Sequence, residues 1–179
     1  NQVNSKRAKD LSVNEILSLH KIAMDGLSPE AGHFRLEPEA IYNAAGIAVY
    51  LPPQPRFIKG YIEKLIDYVK SPKERFVAIK AVLAHYSFEK IHAFTDGNGR
   101  IGRLLMQKIL TQGQFGFKGL LNFEEELEGS RSSYYRALEE PEKEVTSYLE
   151  FMLEILSESA LKTKSLLLTK KEAQVTDYL

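Results

Sequence analysis

The sequence predicts a mostly α protein with one small β-hairpin. Apolar residues recur at helical spacing in several segments, and capping signals precede some of them. Pro and Gly gather in one stretch, residues 28–55, where that spacing lapses.

Ser12-Val13-Asn14-Glu15 reads as a capping box that opens a helix with the apolar face Ile16, Leu19, Ala23, Leu27. Within 28–55, Ala45-Gly46-Ile47-Ala48-Val49-Tyr50 fits a short hairpin, and Leu51-Pro52-Pro53-Gln54-Pro55 an extended connector. A second helix carries Phe57, Tyr61, Leu65 and Tyr68 on one stripe. Ser71-Pro72-Lys73-Glu74 offers a cap, a first-turn proline and a glutamate, and so predicts the start of a third helix. That helix holds Phe76, Ile79, Leu83, Tyr86 and Ile91 in register and leads into His92. The next runs from about Arg100 to Gln112 and stops at Gly113, packed on its predecessor through contacts of the Leu83 and Leu105 type. Leu120 to Leu138 is helical in its later part, with Glu124-Glu125-Glu126 a solvated first turn. A last helix carries Val145, Tyr148, Met152, Ile155 and Leu156.

Between the third and fourth helices lies Ile91-His92-Ala93-Phe94-Thr95-Asp96-Gly97-Asn98-Gly99-Arg100-Ile101-Gly102-Arg103. Gly97-Asn98-Gly99 can adopt left-handed backbone and turn successive N–H groups into one anion-binding concavity. The helix that follows adds its unpaired N–H groups and dipole, so a phosphate would sit well there. Arg100 and Arg103 lie one helical turn apart, and guanidinium grips phosphate with paired hydrogen bonds. Asp96 supplies the hard oxygen that Mg²⁺ takes, with phosphates and water completing the shell. His92, of ordinary pKa near neutrality, suits the role of proton acceptor from a hydroxyl. Phe94 reads as an anchor turned into the core. Each of these has a bland reading taken singly, as a turn, a solvated arginine or a structural histidine. Their assembly ahead of an apolar helix speaks for a nucleotide site.

This stretch resembles the signature of the Fic (filamentation induced by cAMP) family, His-x-Phe-x-Asp/Glu-Gly-Asn-Gly-Arg-x-x-Arg. It matches at every fixed position from His92 to Arg103, with Ala93 where proline is usual. Gly32-His33-Phe34-Arg35 and Val49-Tyr50-Leu51-Pro52-Pro53 resemble the family's substrate-positioning flap and the Pro-Pro segment after it. Arg131-Ser132-Ser133-Tyr134-Tyr135-Arg136-Ala137-Leu138 resembles its downstream Arg-x-x-Tyr-Tyr-x-Ala-Leu element. The resemblance covers roughly residues 12–157. It implies a Fic-type helical bundle with a β-hairpin flap, and Mg²⁺-dependent transfer of AMP from ATP to a Ser, Thr or Tyr hydroxyl of a protein target.

The family roles carry over position by position. His92 is the base and Asp96 holds Mg²⁺; Gly97, Asn98 and Gly99 cradle the phosphates, Arg100 assists, and Arg103 reaches the γ-phosphate. Gly46, Ile47, Ala48 and Val49 form the flap that docks the target through backbone pairing. Tyr134 and Tyr135 are either core aromatics or, for one of them, a wall for the adenine. A family branch that donates phosphate instead has lysine where Gly97 stands, so the glycine favours AMP transfer. The alternatives are a nucleotide-binding regulator without the reaction, or removal of AMP from the target by the full-length protein.

The chain has 179 residues, 44% of them hydrophobic, which suits one globular domain with a sizeable core. Lys+Arg 24 balances Asp+Glu 24, so nothing pulls it electrostatically toward nucleic acid or an anionic membrane. Absence of cysteine excludes disulfides, thiolate catalysis and Cys-bound zinc. No apolar run approaches the ~20 residues of a membrane span, and no signal-peptide pattern is seen, so the expected location is cytoplasmic. His20 reads as structural or exposed and His33 as a surface residue; His85, Glu89 and His92 lack the spacing of a zinc helix.

The expected organisation is a Fic domain over 1–160, with the flap at about 34–52 and the catalytic loop at 92–103. Residues 161–179 form a C-terminal tail or the start of a truncated following domain. Leu168-Thr169-Lys170-Lys171-Glu172-Ala173-Gln174 resembles the opening of a winged helix, which would add nucleic acid as a partner, or a frayed helix end. Many Fic proteins restrain themselves with a Ser/Thr-x-x-x-Glu-Gly/Asn motif that is not found here. Asn1-Gln2-Val3-Asn4 looks like its tail, so the expectation is a fragment missing that brake; the alternative is inhibition by a small antitoxin partner.

Overall fold

The computed structural model describes residues 11–42, 45–115, 121–139 and 145–176, with side chains as far as 169. Seven helices and one two-stranded antiparallel sheet lie among these residues, in two compact units, Asn1–Phe115 and Gly116–Leu179. Asn1–Asn4 and Leu120 fall outside the described residues.

The first unit opens with helix α1 (Val13–Ala23). The Ser12 hydroxyl accepts the Glu15 N–H at 3.2 Å, which is one half of a capping box; the Glu15 carboxylate pairs with Lys108 instead of returning to the Ser12 N–H. Its buried face is Ile16 and His20; Leu27 lies beyond the helix, exposed in a turn, and so does not extend the apolar stripe. Strands β1 (Ile41–Tyr42) and β2 (Ala48–Tyr50) form the hairpin, with Ile41 opposite Tyr50 and Tyr42 opposite Ala48. Gly46 holds φ +75° in the turn.

Helix α2 (Pro55–Lys70) starts on proline, whose missing N–H is no loss in a first turn. It buries Ile58, Ile62, Leu65 and Ile66. Phe57 and Tyr61, expected inside, are exposed: the packed stripe is rotated by one residue, and the branched isoleucines fill the core. Helix α3 (Val77–Ile91) begins six residues after Ser71, not at it. Ser71 closes α2 and its hydroxyl accepts the Lys73 N–H at 3.2 Å, while Glu74 accepts the Phe76 N–H at 2.7 Å. The three start signals are spent on local turns in the connector. Phe76 is consequently exposed and Leu83 only half-buried.

Helix α4 (Asn98–Gln112) packs against α3, buries Ile101, Leu105, Met106, Ile109 and Leu110, and ends at Gly113. Ala81 and Ala84 on α3 are fully buried. A Cβ on Gly113 would collide with Val77, and one on Gly102 with Glu89 and His85. Small residues at these points let the two backbones approach.

The second unit holds α5 (Phe123–Gly129), α6 (Arg131–Glu139) and α7 (Thr146–Thr176). Phe123 and Leu127 of α5, Tyr134 and Ala137 of α6, and Tyr148, Met152, Ile155 and Leu156 of α7 are its buried apolar side chains. Glu124 and Glu125 are exposed, whereas Glu126 pairs with Lys162 at 2.5 Å. The stretch read as a winged-helix opening or a frayed end continues α7. Among the described residues no helix is long and apolar enough to cross a membrane.

Candidate active site

Helix α3 stops on His92, which adopts φ 47° and ψ 61°, the left-handed conformation that reverses a helix end. Its N–H still bonds to the Phe88 carbonyl, at 3.1 Å. The chain then dives inward, burying Ala93 and Phe94. The Asn98 amide fastens the loop from the other side. Its Oδ1 accepts the Phe94 N–H at 2.9 Å, and its Nδ2 donates to the Phe94 carbonyl at 2.5 Å. Gly97, at φ +82°, precedes the first turn of α4, and its N–H donates to Asp96 Oδ1 at 2.6 Å. A Cβ there would stand 2.7 Å from Met24 Sδ, so both backbone and space demand glycine. Because α4 begins at Asn98, two residues before the expected start, the N–H groups of Gly99 and Arg100 belong to an open helix end suited to an anion.

Two side chains from distant segments lock this loop. His20 stacks on Phe94, accepts the Gly32 N–H on Nδ1 at 2.9 Å, and presents Nε2 to the Asp96 carbonyl at 3.0 Å. Phe34 and Phe88 flank the same ring at 5.4 and 6.3 Å. Arg35, buried to 2% exposure, donates to the carbonyls of His92 (2.7 Å), Glu37 (2.8 Å) and Pro53 (2.5 Å). Its own N–H bonds to the Ala93 carbonyl at 3.0 Å. The sequence reading took His20 as structural or exposed and placed Arg35 only within the flap resemblance, giving neither a hold on the loop. Ile16 four residues ahead was the available signal for His20, since it places the histidine on the buried face.

The electrostatics favour a neutral imidazole at His92. Burial lowers its pKa first, the Arg35 charge lowers it further, and the Glu89 main chain pulls the other way. Glu39, also missed in the sequence, sits 4.0 Å from His92 Nε2 and 3.8 Å from Arg35 Nε. Burial raises the Glu39 carboxyl's pKa, Arg35 lowers it, and Glu30 raises it.

The two arginines diverge. Arg100 folds back to donate to the Ala23 carbonyl at 2.7 Å, at the C-terminal end of α1. Arg103 turns toward the loop: a Cβ on Gly99 would stand 3.2 Å from its Nη1. Asp96 is exposed, and one carboxylate oxygen is engaged by Gly97, which leaves the other open to a cation. Among the described residues no three His, Cys, Asp or Glu side chains gather into a metal site. Asp96 would give a cation one protein carboxylate, within the one or two that Mg²⁺ takes. The residues fit that ion.

The hairpin stands beside the loop. The Tyr50 hydroxyl donates to the Lys90 carbonyl at 2.8 Å, and Lys90 Nζ lies 4.4 Å from the Tyr50 ring centre. Gly46, Ile47 and Ala48 are exposed and Val49 half-buried. Tyr134 and Tyr135 belong to the second unit. There Tyr134 is buried, 6.4 Å from the Tyr148 ring, and Tyr135 is half exposed and edge-on to Tyr134 at 5.3 Å.

Comparison with known proteins shows the family and the fold. The model of the Fic/DOC family matches residues 10–110. A probable protein adenylyltransferase of Aquifex aeolicus is 35% identical over 96 residues, covering 54% of this chain and 28% of that protein. Protein adenylyltransferase fic-1 of Caenorhabditis elegans is 28% identical over 114 residues, covering 62% and 21%. The chain thus spans roughly a quarter of the length of these relatives. Among solved structures, a Fic family protein from Desulfovibrio desulfuricans superposes with a TM-score of 0.76 at 25% identity, covering 94% of this chain and 51% of that one.

Proposed function

The chain belongs to the Fic/DOC family, and from that premise we propose that it is a Mg²⁺-dependent transferase moving AMP from ATP to a Ser, Thr or Tyr hydroxyl of a protein. The observation that carries the reading is the placing of His92. A largely buried imidazole, biased to its neutral form, caps α3 five residues before the glycine turn that opens α4. The names of the relatives, protein adenylyltransferases, support the reaction class.

In the proposed step His92 takes the proton of the target hydroxyl, and the freed oxygen attacks the α-phosphorus of ATP. A phosphodiester to AMP forms as the bond to the β-phosphate oxygen breaks, and pyrophosphate leaves. Backbone N–H groups of Gly99 and Arg100 face the developing phosphate charge, and Arg103 holds the terminal phosphate. Mg²⁺, held by Asp96, would neutralise charge between the α- and β-phosphates. Most of the rate comes from such positioning and charge stabilisation. The target adds its backbone to the hairpin edge at Gly46–Val49, so side-chain identity matters little to docking. A restraining segment or antitoxin would act where Arg103 meets the terminal phosphate.

Incubation with Mg²⁺ and ATP labelled at the α- or the γ-phosphate, beside His92→Ala, tests this. Label entering protein from the α-position alone, and not with His92→Ala, is expected. Label from the γ-position alone would make the protein a kinase and overturn the reading.

A further inference from the structure

Beneath the candidate site lies a buried pair of ionisable side chains that the proposed reaction leaves unused. His85 is fully buried on α3, and one turn on, the Glu89 side chain is only 11% exposed. His85 Nε2 lies 3.7 Å from Glu89 Oε1. Both press against the main chain of α4 at Gly102, where a Cβ would stand 3.1 Å from His85 Cδ2 and would overlap Glu89 Oε1. That oxygen is buried without a hydrogen-bond partner among the described residues. A carboxylate so placed is costly unless a counter-charge stands close by.

The counter-charge is Arg103, one residue beyond Gly102. Burial acts first on both groups, raising the Glu89 pKa and lowering that of His85; the Arg103 field then lowers the proton affinity of each. Its guanidinium packs over Gly99, with Nη1 3.2 Å from the place of a Cβ there. The side chain is therefore held between a bare backbone at the phosphate turn and the field of a buried carboxylate. Glycine at 102 is what lets the carboxylate reach that place.

We propose that Glu89, backed by His85, is the positioning residue for Arg103, holding its guanidinium over the Gly97–Gly99 turn where a nucleotide's terminal phosphate binds. This rests on the reading of Arg103 as the terminal-phosphate group. Fixing a long arginine side chain costs rotamer entropy. A permanent partner on α3 meets that cost before the nucleotide arrives, so ATP affinity gains and ADP affinity does not. The role differs from plain packing because it needs the ionised carboxylate of Glu89, the form that prevails above its burial-raised pKa of about 7.

Two measurements on the full chain test it. The first is an NMR titration of the Glu89 carboxyl carbon in the wild type and in Arg103→Ala. The midpoint is expected to rise when Arg103 is removed; an unmoved midpoint overturns the proposal without reference to any nucleotide. The second is calorimetric binding of ATP and ADP to wild type, Glu89→Gln, Arg103→Ala and the double variant. Glu89→Gln, which keeps shape and loses charge, is expected to weaken ATP binding about tenfold. It should spare ADP and add nothing in the Arg103→Ala background. Equal losses for ATP and ADP, or additive losses in the double variant, would reduce Glu89 to a structural residue. A wild type that favours ATP over ADP in this pattern but transfers no AMP would sink the transferase reading and leave the positioning intact. A wild type with no preference for ATP would overturn both.

Discussion

The ring of His20 lies flat on that of Phe94, centroids 3.7 Å apart and planes within 2°. Both imidazole nitrogens are committed: Nδ1 accepts from Gly32, so Nε2 carries the proton and donates to the Asp96 carbonyl. One side chain thus ties α1, the turn at Gly32 and the candidate metal residue's own backbone into a single piece.

His20→Phe keeps the stack and removes both hydrogen bonds. It strands a part-buried N–H and a carbonyl, so the variant should lose about 1 kcal/mol of stability or somewhat more. Mg²⁺-dependent ATP binding should weaken with it, because the Asp96 backbone is no longer pinned. Urea unfolding and nucleotide binding with and without Mg²⁺ check both; unchanged values in both would show that the stack alone holds the loop.

Arg35 combines stability with acid–base control. Arg35→Met removes its side-chain bonds to three carbonyls and should destabilise by about 3 kcal/mol or more. In the proposed reaction the neutral form of His92 is the base, so the rate should fall as pH falls through its pKa. That pKa lies below the ordinary 6.5, from burial first and Arg35 second. The acid limb of kcat/KM should therefore sit below the usual histidine range in wild type and move upward in Arg35→Met. A limb that stays in place would remove Arg35 from the tuning of the base.

How much of this was legible in the sequence follows from where each partner lies. The residues from His92 to Arg103 are contiguous, so their spacing alone brings them to one loop. The helices themselves followed from periodicity, but the face of α2 did not: Phe57 and Tyr61 are large enough to look like core, yet Ile58 and Ile62 occupy it. Ser71, Pro72 and Glu74 misled because the groups that cap a helix also close a turn. His20, Arg35 and Glu39 gained roles only through partners 53 to 76 residues away, and no local pattern encodes such distances.

Gly97→Ala should fail for two separable reasons. A φ of +82° costs an L-residue roughly 1–2 kcal/mol, and the new methyl meets Met24 Sδ at 2.7 Å. Adding Met24→Ala should restore the steric share of the lost nucleotide affinity and none of the backbone share. Full rescue in the double variant would show that the turn tolerates a side chain; no rescue would place the whole penalty in φ.

His85 and Glu89 should give stability an unusual response to acid. Burial, with the Arg103 charge, holds His85 at about 3, so below pH 6.5 the unfolded chain binds the extra proton and stability falls down to about pH 3. Burial raises Glu89 to about 7 against the ordinary 4.5, so the folded chain binds the extra proton and stability falls as pH rises from 4.5 to 7. The slopes oppose between pH 4.5 and 6.5. His92, also lowered by burial, adds to the His85 slope, so the test is the difference between His85→Phe and the double variant with Glu89→Gln. Only the former should gain in urea midpoint, relative to the latter, as the pH is lowered from 7 to 4.5; parallel midpoints would remove the Glu89 contribution.

The packing of α3 on α4 has a bearing on when the site comes into being. These helices are neighbours in sequence and can pair early, as local contacts do. The bonds that shape the loop between them bridge much longer separations: 57 residues from Arg35 to His92, and 76 from His20 to Asp96. The helix pair can therefore form while the loop between them is still unshaped; the geometry of the candidate site depends on the docking of α1 and the Arg35 segment.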